Sequence, residues 1–350
     1  MIIKQARLLG ARVLVSETVT PSALNFQDSS LCAVLETLEN NDAFQSLESS
    51  DAPFFQSPSS SLDVDCFLQK ILSKPRAYLL AHGEVELSDE ELNQFFNCLK
   101  KRRTGLPVAY ITGQKEFYGY NFTVTKDVLI PKPDTEVLVE LASIEIENAI
   151  KANPNSILTI CDMCTGSGCI ALSAMRNLLD NSKIPLAKLP KFTACDISQK
   201  ALDVAKLNAD NLLSGKERER IRFIRSNLFE AVPGVFDFVL TNPPYVPGKE
   251  ARELLKDGRS EPLLALDGDV NEMGDTSYTS DGLALIRRLV PQVMEHLAPY
   301  GRVYIESGEY NADKTAFLLR KEGLSEVETY CDLSGMPRVT RGKKNSTLHF

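Results

Sequence analysis

A chain of 350 residues, 43% apolar and 25% charged with no tryptophan, is long enough for two domains with a sizeable core and has the composition of an ordinary soluble globular protein. No apolar run approaches the roughly 20 residues of a membrane span, and the eight cysteines are too scattered for a small secreted scaffold, so reduced thiols and a cytoplasmic location are expected. The net charge of −8 is local: eight of the 47 acidic residues lie between 25 and 65, where there is no Lys or Arg, and the rest of the chain balances at 39 against 39. A neutral body supplies no argument for binding nucleic acid.

Residues 1 to about 24 carry Lys4, Arg7 and Arg12 with apolar spacing suited to a packing helix rather than an organellar presequence, followed by a turn at Thr20-Pro21-Ser22. Residues 25–61 are rich in Ser, Asp, Glu and Asn. They read as an acidic insertion, helical around Leu31 to Leu38 and otherwise mobile. Helical spacing resumes at Val64, Phe67, Leu68 and Ile71. Ser88 followed by Asp89, Glu90 and Glu91 predicts an N-cap with acids in the first turn, leading to Leu92, Phe95, Phe96 and Leu99. A small helical domain over residues 1–103 is expected. Lys115 to Val124 reads as a β-hairpin turning near Tyr118-Gly119, within a linker over 104–133. From 134 onward a helix opens, and short apolar strands then alternate with helical segments: Ile157 to Cys161, Phe192 to Cys195, Ile221 to Ile224, Phe236 to Leu240 and Arg302 to Ile305. That alternation predicts an α/β domain over 134–350 with a doubly wound, mostly parallel sheet.

The chemistry gathers at strand ends. The first strand runs into Cys161-Asp162-Met163-Cys164-Thr165-Gly166-Ser167-Gly168, an acid and a tight glycine turn before a helix, where backbone can approach a nucleotide-like ligand closely. The second ends at Asp196, a carboxylate that can accept both hydroxyls of a ribose. The fourth ends at Asn242-Pro243-Pro244-Tyr245. The two prolines carry no N–H and stiffen the chain, so the Asn242 side-chain oxygen and the Pro243 carbonyl stand together as acceptors suited to an –NH2 group, with Tyr245 available to lie against a planar amide or base. The corner alone does not say whose –NH2 is held. Cys161, Cys164 and Cys169 include a Cys-x-x-Cys spacing, but the three histidines are distant and no second ligand pair exists, so no metal is expected.

These stretches, together with Arg103 to Gly113, Glu116-Phe117, Leu129 to Glu136, Glu261-Pro262 and Asp332 to Arg338, resemble the bacterial release-factor glutamine methyltransferases over about residues 62 to 344. The resemblance implies a Rossmann-like fold dependent on S-adenosyl-L-methionine, with a helical N-terminal domain that docks the substrate. It also implies an acceptor: the side-chain amide of the Gly-Gly-Gln glutamine in class 1 translation release factors. By position, Cys164, Thr165, Gly166, Ser167 and Gly168 would line the cofactor, Asp196 would hold its ribose, and Leu228 would sit beside its adenine. Asn242 would touch cofactor and substrate, with Pro243, Pro244 and Tyr245 completing the amide pocket. Cys164, Lys132 and Asn227 depart from the family's usual glycine, arginine and aspartate, and 268–280 reads as an insertion. Two rival acceptors share the corner's chemistry: a glutamine in a ribosomal protein, and the amino group of adenine or guanine in nucleic acid. Glu261 reads as an orienting residue near the pocket or as a solvated or helix-capping one, Glu306 as structural, and the basic end from Arg338 to Lys344 as a solvated tail.

Overall fold

The computed structural model describes residues 1–20, 24, 29–38, 41–47, 54–256, 261–269 and 280–346. Pro21 and Ser22 of the expected turn lie outside the described residues, as do 270–279 of the expected second insertion. The chain forms two compact units, Met1–Gly113 with Leu254–Ser260, and Gln114–Glu253 with Glu261–Phe350.

The first unit is helical. Its longer helices are Ile3–Val13, Ser29–Leu38, Ser60–Leu72 and Asp89–Arg103. The last opens on Ser88, whose hydroxyl accepts from Glu91 N while the Glu91 carboxylate accepts from Ser88 N, satisfying donors that a helix start leaves unpaired. The stretch read as a mobile insertion is built into this core instead. Leu35, Leu38, Phe44 and Leu47 are buried with Phe67, Phe95 and Phe96, and the Phe44 ring meets Phe96 edge-on at 5.4 Å. Just after that stretch, two of the local acids are internal counter-charges: Asp63 pairs with Arg102 at 2.7 Å, and Asp65 bridges Arg7 and Arg76.

The second unit opens with the hairpin β1 (Gln114–Phe117) and β2 (Tyr120–Thr123). Phe117 and Phe122 point into the core of the sheet domain, so residues 104–113 go with the helical unit and 114–133 with the sheet, where the sequence reads as one linker. The main strands are β3 (Thr159–Met163), β4 (Lys191–Asp196), β5 (Ile221–Arg225), β6 (Phe236–Thr241), β7 (Leu297–Glu306), β8 (Ser325–Cys331) and β9 (Pro337–Lys343). They lie in the order 5-4-3-6-7-9-8. The first five are parallel, and β9 joins β7 and β8 antiparallel. Successive residues of each inner strand serve opposite faces. Ile160, Phe238, Leu240 and Tyr304 face one core, and Cys161, Val239, Val303 and Ile305 the other.

The basic end is the last strand of this sheet rather than a solvated tail. Arg338 pairs with Asp332 and Asp134 at 3.0 and 3.2 Å, Arg341 with Glu145 and Glu328, and Lys343 with Glu326. The order of the strands reverses between β4–β3 and β6–β7, which makes the carboxyl ends of β3 and β6 the switch point where an open α/β sheet leaves a crevice.

Candidate active site

The loop after β3 is held from below by Asp162. Its Oδ2 accepts from the Thr165 hydroxyl at 2.6 Å and from Ala171 N at 3.2 Å, while Oδ1 has no partner among the described residues. Burial drives this carboxyl up to about 7. Cys164, Gly166 and Gly168 all sit at positive φ (61°, 55° and 81°), the left-handed region that glycine enters freely and a Cβ disfavours. Cys164, where the family usually has glycine, therefore adopts a glycine-like backbone at some strain. Burial raises its thiol pKa well above the usual range. Thr165 N reaches across to Cys195 O at 2.9 Å, tying the loop to β4.

Asp196 ends β4. One oxygen accepts from Gly166 N and the other from Ser198 N, each at 2.9 Å; burial raises its pKa against those two bonds. Leu228 lies beyond β5 at φ 51°. Beside it, the Asn227 amide spans Glu230 and Arg288 at 2.6 and 3.2 Å.

At the end of β6, Asn242 Nδ2 donates to Thr135 Oγ1 at 3.1 Å, leaving Oδ1 as the end of the amide that can accept. The backbone of the corner is clamped. Asn311 Nδ2 donates to Tyr245 O at 3.1 Å, Val246 pairs with Leu266 and Gly268 at 2.9 Å, and two glycines press on Tyr245. A Cβ on Gly268 would stand 2.1 Å from Gly282 O and 2.7 Å from Tyr245 Cα, and one on Gly282 would stand 2.1 Å from Tyr245 O. Gly268 and the buried Asp269, which accepts from Gly248 N and Gly282 N, are thus part of this clamp rather than the edge of an insertion. The Tyr245 hydroxyl donates to Glu306 Oε1 at 3.2 Å.

A cavity of about 270 Å³ opens among these strand ends. Of the residues singled out from the sequence, Cys164, Thr165, Gly166, Ser167, Asp196, Leu228, Asn242 and Pro244 line it. Gly168 does not; it starts the helix Cys169–Asp180, close against Leu172 and Ala205. Pro243 and Tyr245 do not line it either. Glu261 is neither solvated nor a cap: it accepts from Lys132 Nζ at 2.7 Å and Ile130 N at 3.3 Å, pinning the extended piece whose Pro131 and Lys132 form part of the wall. Thr135, Ile197 and Arg288 also line the cavity and are missed by sequence reasoning, since nothing in their local pattern separates them from ordinary packing or surface residues.

The PrmC N-terminal domain family matches residues 43–113, and the methyltransferase small domain family matches 148–265. The release factor glutamine methyltransferase of Clostridium acetobutylicum is 34% identical over 283 residues, 79% of this chain and 89% of that protein. That of Koribacter versatilis is 35% identical over 308 residues, 87% of this chain and 96% of that protein.

The chain belongs to the release factor glutamine methyltransferase family.

The first match begins at 43, inside the stretch read as an insertion, in keeping with the burial of Phe44 and Leu47. Among solved structures, the ribosomal protein L11 methylase of Lactobacillus delbrueckii subsp. bulgaricus aligns with 63% of this chain and 84% of its own at 18% identity, with a TM-score of 0.39. The family's cofactor is S-adenosylmethionine, and the residues present fit it. Nothing stands within 4 Å of where a Gly166 Cβ would be, so the loop backbone is open to a ligand. Each Asp196 oxygen accepts one N–H and keeps a further lone pair for a hydroxyl.

Proposed function

We propose that this protein methylates the side-chain amide nitrogen of the glutamine in the Gly-Gly-Gln motif of class 1 translation release factors, in the cytoplasm. The supporting observation is the Asn242–Thr135 hydrogen bond. It turns the amide so that, in a residue lining the cavity, the acceptor oxygen is left for a ligand beside the Pro243 carbonyl and two prolines without N–H groups.

The cofactor supplies a sulfonium-bound methyl group, a strong electrophile. An amide nitrogen is a poor nucleophile because its lone pair is delocalised into the carbonyl. Asn242 Oδ1 and the Pro243 carbonyl accept the two amide protons, fixing the approach of the nitrogen and offsetting the positive charge that develops on it. Cys164 to Ser167 would cradle the cofactor, Asp196 would hold its ribose hydroxyls, and Leu228 would pack beside its base. Pro244 forms the adjoining wall, and Tyr245 closes the corner through its bond to Glu306. No general base is required, as the proton leaves the alkylated nitrogen to water. The balanced charge outside the acidic stretch favours a protein acceptor over nucleic acid.

The test is incubation of the protein with labelled S-adenosylmethionine and either a release factor or bulk RNA. The expected result is one added methyl mass on the release factor, mapped to the single peptide carrying Gly-Gly-Gln. Label found only in RNA, or only on a ribosomal protein, would overturn the assignment.

A further inference from the structure

Part of the cavity wall is built outside the sheet, from two separate stretches of chain. Val128, Leu129 and Pro131, on the strap that follows β2, supply one, and Pro262, Leu264 and Ala265 supply the other. Glu261, directly before Pro262, joins the two. Its Oε1 accepts from Lys132 Nζ at 2.7 Å and from Ile130 N at 3.3 Å, partners 129 and 131 residues away along the chain.

We propose that Glu261 is a positioning residue that orders the strap over 129–133 before the cofactor arrives, so that S-adenosylmethionine meets a finished wall. The proposal concerns the cofactor and does not depend on which amide is methylated.

The strap cannot hold itself. Pro131 and Pro133 have no N–H, which closes off a regular ladder. Among the described residues, every hydrogen bond from 129–133 to a distant part of the chain ends on Glu261. A local bond, Thr135 N to Lys132 O at 3.1 Å, only shapes the turn that follows. Past that turn the chain is fixed again, where Asp134 pairs with Arg338 and Thr135 accepts from Asn242. The second stretch has its own anchor: Val246 N donates to Leu266 O and Gly268 N to Val246 O, each at 2.9 Å. Glu261 thus fastens a wall with few bonds of its own to one already tied to the end of β6.

A fully exposed ion pair would be too weak for this task. Here the Lys132 side chain is 41% exposed but that of Glu261 only 10%. A carboxylate that has lost most of its water depends on the donors that replace it, and both of those donors belong to the strap. With Glu261 removed, the strap would have to be ordered by the cofactor on binding, at the expense of affinity.

The experiment uses the full-length protein with Glu261→Ala, Lys132→Met and Lys132→Arg, and two readouts that need no acceptor. One is the S-adenosylmethionine dissociation constant by calorimetry. The other is hydrogen exchange at the Ile130 amide, with and without S-adenosylmethionine. In the unsubstituted protein that amide is expected to be protected before the cofactor is added. Glu261→Ala loses the protection in the cofactor-free state, regains it at saturating S-adenosylmethionine, and raises Kd about tenfold, the fold-change of one charge-assisted hydrogen bond. Lys132→Met raises Kd by a smaller factor, because the Ile130 N–H still reaches Oε1. Adding it to Glu261→Ala costs nothing further, as expected of two groups acting through one contact. Lys132→Arg keeps the charge and brings a forked donor to the same carboxylate, so it binds at least as tightly as the unsubstituted protein. An unchanged Kd in Glu261→Ala would overturn the proposal, as would an Ile130 amide that stays protected in that variant without cofactor. A raised Kd with the amide still unprotected at saturating cofactor would overturn it too, since Glu261 would then be shaping the fold rather than preordering the wall. Should Glu261→Ala fail to fold, the half-exposed Lys132→Met carries the same two readouts, and no change in either would be equally fatal. A release factor that goes unmethylated would remove the acceptor assignment and leave this proposal standing.

Discussion

At the scale of single residues, the site separates holding the cofactor from aiming the acceptor, and the two can be lost independently. Asp196 uses both oxygens to fix the glycine loop through Gly166 N and its own turn through Ser198 N, so it acts on the cofactor twice, by direct contact and by shaping the loop. Asn242 carries no such structural bond apart from the one to Thr135. Asp196→Ala should therefore weaken S-adenosylmethionine binding by about 10- to 100-fold, the loss of two to three hydrogen bonds at a partly buried site. Asn242→Ala should leave that dissociation constant within about threefold and lower kcat by about 100-fold or more, the usual loss when a preorganised polar group at a reacting centre is removed. Calorimetry for the first quantity and single-turnover methyl transfer for the second would check the pair. Equal effects on both constants from either variant would contradict the division of labour. The ligand-facing half of this site is legible in the sequence because loops at strand ends carry their own marks: Gly-Ser-Gly, an acid after a strand, Asn before Pro-Pro. The supporting half is not. Thr135 and Glu306 matter through partners 107 and 61 residues away, Gly268 and Gly282 through a close approach of backbones, and neither leaves a local pattern.

At the scale of elements, charge misleads more than hydrophobicity does. The five parallel strands are found from their apolar runs within one or two residues at most ends, because the inner ones, β3, β4 and β6, are buried on both faces. β8 and β9 mix charged and polar residues with few apolar ones, and of the two only β9 has buried residues, Val339, Thr340 and Gly342. Their cations look solvated until Glu145, Glu326, Glu328 and Asp332 are brought opposite. The acidic stretch fails in the same way: its Ser and Asp content suggests a chain unable to bury enough surface, yet Leu35, Leu38, Phe44 and Leu47 supply apolar positions that complete the helical core. Phe44→Ala should thus cost about 3–5 kcal/mol, the usual loss for a buried aromatic truncated to Ala, and should lower the urea midpoint of the helical unit's unfolding while leaving S-adenosylmethionine affinity unchanged. A loss within about 0.5 kcal/mol, the range of a surface substitution, would return this stretch to the status of a mobile appendage.

At the scale of the whole molecule, the buried acids predict an unusual dependence of stability on pH. Asp162 is the last residue but one of β3, Asp196 and Glu306 end β4 and β7 of the same sheet, and burial raises the pKa of all three. For Asp162 and Glu306 the folded value reaches about 7, against roughly 4 in an unfolded chain. Between those limits the unfolded state has released its protons and the folded state has kept them. Stability therefore falls as pH rises, by up to about 1.4 kcal/mol per pH unit for each group, and levels off above about 7. The opposite sign belongs to Asp65, lowered by Arg7 and Arg76 in spite of burial, and to Asp281, lowered chiefly by its bond to Arg287. Their contribution is present above the ordinary carboxylate range and disappears only as pH drops below it. Together the two sets put the stability maximum of the cofactor-free protein on the acid side of neutrality, between about pH 4 and about pH 5.5. Thermal unfolding followed from about pH 4.5 to about pH 8 should show Tm declining across that span. Asp162→Asn should remove a large part of the decline, because a neutral side chain can still accept the Thr165 hydroxyl and no longer has to ionise. A Tm that rises through the same window would mean that these carboxyls ionise like exposed ones. The energy given up at neutral pH would then lie elsewhere than at the strand ends that surround the cavity.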